Sequence, residues 1–309
     1  MVEPPDLPSV VVLLATYNGV AFLREQIETI LGQEGVAVRI VVSDDGSGDG
    51  TAELVAELAR REPRISMLPP TRSGGSAANF YRLLRDATSS PGELVAFADQ
   101  DDVWLPRKLA TQIELMSLHE AEVVSGSVMA FDADGREHLV RKDYPQRRFD
   151  WLTESPGPGC SFLMTPRFVE LVRRVLDEVP VARTAEFHDS LLYAIGRAHG
   201  SRWHIGGEPL VRYRQHATNV LGANQGARGA AARFAMIRSK WHRGQAIIHA
   251  EVGRAVADQA ARGELQRLLV LLRSRRLRDC WRLARLAPQL RRRPRDRFLI
   301  GWVIRLGLW

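Results

Sequence analysis

The chain has almost no cysteine, with only Cys160 and Cys280 among its 309 residues. Two thiols cannot build the disulfide framework of a small secreted scaffold, so a reducing, cytoplasmic setting is expected. Zinc-ligand spacings and aromatic RNA-binding motifs are missing too, which argues against a nucleic-acid partner despite the basic charge. No Gly-Lys-Ser/Thr follows the glycines at 46, 48 and 50 or the pair Gly74-Gly75, so neither stretch reads as a P-loop. A dinucleotide fingerprint, which belongs after a first strand, is also missing. Residues Met1 to Ser9 hold three prolines and two acids with no basic or long apolar segment, so a secretory signal is not expected there. The last apolar run, Phe298 to Trp309, has 12 residues and is too short to span a bilayer. No Ser-His-Asp or paired-glutamate hydrolase set stands out.

What the chain does have is enough apolar content, 45%, to bury a sizeable core. Its net charge of +7 hides an asymmetry: residues 1 to 224 carry −8, whereas residues from Gln225 onward carry +15. This predicts an acidic globular domain over 1–224 and a basic helical region over 225–309.

Val10 to Ala15 is a β-branched run of strand length, broken by Thr16-Tyr17-Asn18-Gly19 and followed by Phe22, Ile27, Ile30 and Leu31 at helical spacing. Val38 to Ser43, the turn from Asp44 to Thr51 and a helix over about 52–60 repeat the unit. Ile65 to Leu68 predicts a third strand and Asn79 to Ala87 a third helix. Such alternation predicts a doubly wound, mostly parallel α/β sheet, since parallel neighbours need crossover connections. Further along, Val123 to Phe131 reads as one strand. Pro156 to Ser161 reads as a loop bringing backbone close to a ligand, feeding a short strand to Thr165. Val211 to Arg214 reads as the last strand.

The densest chemistry follows the short apolar run Leu94 to Ala98, where Asp99, Asp101 and Asp102 place three carboxylates within four positions. Unpaired, they would repel one another, so a cation is the expected partner, and oxygen donors suit Mg²⁺ or Mn²⁺. In an open α/β sheet the ligand crevice lies beyond the carboxyl ends of the strands, where these aspartates would stand. Capping of a helix over 106–118 would explain one or two of them, Asp102 included, but not all three. An N-cap is likewise the simplest account of Asp189, which opens an apolar helix after His188.

Taken together, Thr16-Tyr17-Asn18-Gly19, Asp44-Asp45-Gly46-Ser47, Asn79-Phe80, Asp99 to Trp104, His188-Asp189 and Arg214-Gln215-His216 resemble the family 2 glycosyltransferases, specifically the bacterial rhamnosyltransferase-like branch. The resemblance covers about Val10 to Gly222. It implies a GT-A fold and an inverting, metal-dependent transfer of a sugar from a nucleotide-diphospho-sugar, dTDP-rhamnose being the donor expected for this branch. It further implies that Thr16 and Asp45 contact the base, that Asp99 helps hold ribose and metal, and that Asp101 binds the metal. Tyr17, Asn18, Asp44, Asn79 and Gln100 would complete the donor site. Asp189 would be the catalytic base and His216 a further metal or diphosphate contact. Relatives often place aromatics after the His-Asp pair, where this chain has Ser190 and Leu191.

Two other classes compete with this one. A nucleotidyltransferase would carry a Gly-rich, Arg- and Lys-containing loop after the first strand, unlike Thr16 to Gly19. A non-catalytic membrane- or partner-binding module on the same scaffold predicts eroded acidic motifs, and these are intact. In the tail, Leu265, Leu268, Leu269, Leu272, Leu283 and Leu286 recur at helical spacing among arginines, the pattern of a basic amphipathic helix. One expectation is a peripheral contact with an anionic membrane on its cytoplasmic face, where a glycan or lipid-linked glycan would be the acceptor. The other is packing of the same leucines on the catalytic domain or in a homodimer.

Overall fold

The computed structural model describes residues 7–215 and 240–309, in two compact units. Of these, the first comprises 7–142, 157–174 and 202–214, and the second 143–156, 175–201, 215 and 240–309. The segments 143–156 and 175–201, expected within the N-terminal domain, therefore group with the C-terminal helices.

In the first unit, β1 (Ser9–Thr16) pairs in parallel with β2 (Ala37–Asp44) and β4 (Leu94–Ala98), and β2 pairs with β3 (Ile65–Met67). The helices α1 (Val20–Leu31), α2 (Thr51–Arg61) and α3 (Ser76–Asp86) supply the crossovers. β1 is buried from Val10 to Thr16 because both its faces are covered. Val10, Val12 and Leu14 join the core that holds Leu23, Ile27 and Ile30 of α1. Val95 and Phe97 of β4 alternate with Ala96 and Ala98, and the Phe97 ring lies 4.9 Å from that of Phe80 on α3. Burying a Val, Leu or Phe contributes about 1.5–3 kcal/mol, so this doubly covered centre holds the sheet and fixes where its carboxyl edge lies.

The strand expected over Val123 to Phe131 is two strands in two sheets. β6 (Val123–Gly126) joins the seven-stranded sheet β10-β6-β9-β4-β1-β2-β3, in which β9 (Leu163–Met164) runs antiparallel and β10 is Trp203–Gly206. β7 (Val128–Phe131) joins the four-stranded sheet β5-β11-β7-β8, built with β5 (Val103–Trp104), β8 (Glu137–Val140) and β11 (Val211–Arg214). The chain changes sheets at Ser127, whose N–H donates to the Gly206 carbonyl at 3.0 Å. The Pro156 to Ser161 loop closes on this crossing: a Cβ on Gly157 would stand 2.6 Å from the Gly126 carbonyl oxygen. Gly157 thus serves close backbone packing at the crossing. The helix expected over 106–118 is α4 (Lys108–Leu118), capped at Arg107, so Asp102 does not cap it.

Past α5 (Pro166–Glu178), which divides between the units, the second unit stacks α6 (His188–His199), α7 (Trp241–Val256), α8 (Gln259–Arg273), α9 (Leu277–Ala284), α10 (Ala287–Leu290) and α11 (Pro294–Arg305). Leu265, Leu268, Leu269, Leu272 and Leu283 are all buried, so the leucine stripe is core here. Part of the tail's charge is internal as well. Arg292 sits 2.8 Å from Glu154 and 3.6 Å from the buried Asp150, to which Arg197 also binds at 3.0 Å. Arg243 donates to the carbonyls of Leu272 and Trp309. No described helix is long and apolar enough to cross a membrane.

Two buried histidines make this unit acid-sensitive. Burial depresses both His188 and His249 from the ordinary 6.5 to about 4, even with Asp189 nearby to favour the cation. Their folded pKa values lie below the unfolded ones, so the unfolded chain gains protons first as pH falls. The stabilisation is complete above about pH 6.5 and is lost toward pH 4, by about 3 kcal/mol for each ring. Urea unfolding is expected to show that loss, with a shallower pH slope in His249→Gln. Equal slopes in the two chains would remove His249 as a source.

Candidate active site

The carboxyl ends of β1 and β2 are laced by Asp44. Its Oδ1 accepts from Thr16 Oγ1 at 2.9 Å and from Ser47 Oγ at 2.5 Å, while Oδ2 accepts from the Gly46 and Ser47 N–H groups at 3.0 and 2.8 Å. Four bonds fill the acceptor sites of a carboxylate, so Asp44 sets the shape of the turn. Asn18 joins the two turns: its N–H donates to Ser47 Oγ at 2.8 Å and its Oδ1 accepts from Gly48 at 2.9 Å.

Asp45 is clasped from another direction. Its carboxylate accepts backbone N–H bonds from Ser73, from Gly74 at 3.0 Å and from Gly75 at 2.8 Å. Gly74 and Gly75 have φ of 89° and 141°, backbone that L side chains rarely adopt, and this lets successive N–H groups converge on one anion at the start of α3. A protein carboxylate occupies the nest that a phosphate could otherwise take. Behind it, Asn79 is buried: it accepts from Ser43 Oγ at 2.6 Å and donates to the Ser43 carbonyl at 2.8 Å. Arg82 adds a bond to Ser43 Oγ at 2.9 Å.

The acidic turn leaves β4 beside the end of β1, because Leu14 pairs with Ala98. Gln100 seals the junction, accepting from Tyr17 N at 2.8 Å and donating to Tyr17 O at 2.9 Å. The Tyr17 ring itself remains 57% exposed. Asp99 is half-buried, Asp101 is buried, and Asp102 is 1% exposed. Burial, reinforced by the charges of Asp101 and Asp99, holds the Asp102 carboxyl well above the usual carboxylate range. Its Oδ1 accepts from Arg214 N at 3.2 Å, and the Cys160 thiol is a further side-chain partner of the carboxyl. Arg214 also donates to the Asp101 carbonyl at 2.8 Å and to Glu25 at 2.5 Å, so the end of β11 is pinned to the acidic turn.

Ligand atoms of Asp99, Asp102 and Cys160 lie within 4.8 Å of one another. The carboxylates are the oxygen donors a hard divalent cation takes. Cys160 is different: burial, then Asp102 and Asp99, push its thiol well up, and sulfur is a soft donor that a hard divalent cation does not select. Lys108 is also fully buried, 2.9 Å from Gln112 and over the Trp104 ring at 3.7 Å. Burial lowers it to about 7. Motif reading missed Lys108 and Cys160, for nothing local marks a lysine or cysteine that will end up beneath a turn. It also missed the Ser73 to Gly75 clasp, although a Gly-Gly pair ahead of a helix was a usable signal.

Nine predicted residues thus gather along one sheet edge of the first unit: Thr16, Tyr17, Asn18, Asp44, Asp45, Asn79, Asp99, Gln100 and Asp101. The metal set expected from the resemblance was Asp99, Asp101 and His216; the cluster found holds Asp99 with Asp102 and Cys160, and His216 lies outside the described residues. Asp189 belongs to the second unit, in the first turn of α6. The helix is capped at Phe187 without a side-chain bond, so N-capping does not account for Asp189. Its Oδ2 accepts from Ser155 Oγ at 2.8 Å and its Oδ1 from Ser190 N at 2.6 Å.

Comparison with known proteins agrees with this geometry. The glycosyl transferase family 2 model matches residues 11–174. The dTDP-rhamnosyl transferase RfbG of Shigella flexneri is 31% identical over 274 residues, covering 86% of this chain and 94% of that protein. Among solved structures, S. aureus TarS 1-349 in complex with UDP-GlcNAc superposes with a TM-score of 0.56 at 15% identity, covering 97% of this chain and 88% of the other. The mannosyltransferase PcManGT from Pyrobaculum calidifontis, in complex with GDP-Man and Mn²⁺, gives 0.54 at 18% identity, covering 99% and 82%. A mostly parallel sheet with the acidic turn at its carboxyl edge, joined to a match of this extent, shows that the chain belongs to glycosyl transferase family 2 and is a glycosyltransferase of the GT-A fold.

Proposed function

We propose that this protein transfers rhamnose from dTDP-rhamnose, with inversion, to a glycan or lipid-linked glycan acceptor in cell-surface polysaccharide assembly. The observation that carries the reading is the laced sheet edge, where Asp99 and Asp101 follow β4 beside the linked turns of Thr16–Asn18 and Asp44–Ser47. The donor sugar is supported by the likeness to RfbG over most of both chains.

On this reading Tyr17 offers its exposed ring to the base, and the turns held by Asp44 and Asn18 shape the nucleoside pocket around Thr16 and Asp45. Asp99 and Asp101 would hold Mg²⁺ or Mn²⁺, with His216 as a further contact. When bound, such an ion offsets the charge that grows on the departing diphosphate. Asp102, whose carboxyl burial pushes above the usual carboxylate range, accepts from the Arg214 N–H and keeps that strand end in place. Asp189 accepts the proton of the acceptor hydroxyl as its oxygen bonds to the anomeric carbon and the sugar–phosphate bond breaks. Ser155 orients that carboxylate. One displacement without an enzyme nucleophile inverts the anomeric centre.

The test is a donor panel read by release of the nucleoside diphosphate. Turnover of dTDP-rhamnose is expected to exceed that of UDP- and GDP-sugars by about tenfold or more, the discrimination that a few pocket contacts supply. Preference for a UDP- or GDP-sugar would overturn the donor assignment, and release of pyrophosphate instead would overturn the reaction class.

A further inference from the structure

We infer that α9 and α11 form a binding face for an anionic phospholipid bilayer. The face is made by residues other than the leucine stripe that the sequence pattern suggests, since five of its six leucines are buried and Leu286 is partly so. Trp281 on α9 is 55% exposed, and Phe298 and Trp302 on α11 are 67% and 47% exposed. They form one surface. Arg305 lies over both indoles, 5.3 Å from the Trp281 ring and 5.3 Å from the Trp302 ring. Phe298 meets Trp302 edge to face at 6.1 Å. Leu277, Leu299 and Leu306 extend the patch, each about half exposed or more.

Exposed tryptophan, phenylalanine and leucine side chains gathered on one surface mark a contact site. The occupant is argued from charge. Residues 275–309 hold eleven arginines, no lysine and only two aspartates, Asp279 and Asp296. Asp279 is engaged by Ser274 at 2.6 Å and by Arg282 at 3.4 Å, which leaves little negative potential to repel a phosphate. Arg275, Arg276, Arg278, Arg285, Arg293 and Arg295 are exposed. An apolar face with tryptophans at its centre and arginines around it fits the boundary between acyl chains and phosphate head groups. Indoles favour that boundary, and guanidinium forks bind phosphate through two parallel bonds. A face covered by a second copy of this chain would set arginine against arginine around its rim. The arrangement is argued from the second unit alone and does not depend on the donor assignment.

Flotation of the full chain tests it, using vesicles of phosphatidylcholine alone and of phosphatidylcholine mixed with phosphatidylglycerol. The protein is expected to float with the phosphatidylglycerol vesicles at low salt, to stay behind with phosphatidylcholine, and to be released as salt reaches about 0.5 M. The double variant Trp281→Gln/Trp302→Gln should bind about tenfold more weakly, with unchanged thermal melting and unchanged release of nucleoside diphosphate in solution. Acyl chains brominated near the head group should quench part of the tryptophan fluorescence of the unaltered chain. Failure to float with phosphatidylglycerol at low salt would overturn the inference, as would undiminished flotation of the double variant. A dimer by light scattering that the double variant converts to monomer would assign the face to a second copy instead.

Discussion

Asp189→Asn is expected to lower kcat by about 10²- to 10⁴-fold while leaving donor affinity within about twofold, because a general base acts on the acceptor rather than on the nucleotide sugar. Asparagine keeps the volume and a carbonyl oxygen that still accepts from Ser155 or Ser190, so the first turn of α6 should survive the change. Donor binding by calorimetry and steady-state transfer separate the two effects. Near-normal kcat would return Asp189 to a purely local role at its helix start. A loss of donor binding equal to the loss of turnover would point to misfolding of the second unit, which circular dichroism would register.

The second large effect concerns the acidic turn, where two neighbouring aspartates should respond differently. Asp101→Asn removes a charge that the proposed ion needs, and transfer is expected to fall by about 10²-fold or more, with donor binding no longer strengthened by Mg²⁺ or Mn²⁺. Asp102→Asn should matter less. Burial already holds the Asp102 carboxyl above the usual range, and an amide oxygen can still accept from the Arg214 N–H. A reversed ranking, with Asp102→Asn abolishing metal-dependent donor binding and Asp101→Asn tolerated, would shift the ion onto the Asp99 and Asp102 pair, whose ligand atoms cluster with that of Cys160. Donor binding that chelator treatment leaves unchanged would remove the ion from the proposal.

Much of the first unit is legible without coordinates. β1, β2 and β4 are short apolar runs buried on both faces, and each ends in a polar turn, so period and punctuation give the same answer. The acidic turn is readable because three carboxylates within four positions repel one another unless a cation or a lost charge relieves them. Elsewhere the local pattern is silent or misleading. β8 has three exposed residues in four and no clear alternation, and it exists because β7 offers it an edge.

The strand–turn–helix rhythm, the placing of the acidic motifs at strand ends and the family can all be read from residue order. These depend on neighbours in the chain, where hydrophobic period and turn chemistry act over a few residues. The break at Ser127, the clasp of Asp45 by Ser73 to Gly75, the burial of Asp102 with Lys108 and Cys160, and the choice of core residues in the tail arise from long-range packing. It turned the leucine stripe inward and left Trp281, Phe298 and Trp302 outside. Helical spacing says only that a stripe has one side. Which apolar side chains find partners is settled by contacts between residues far apart in sequence, whose burial offsets the entropy of bringing them together.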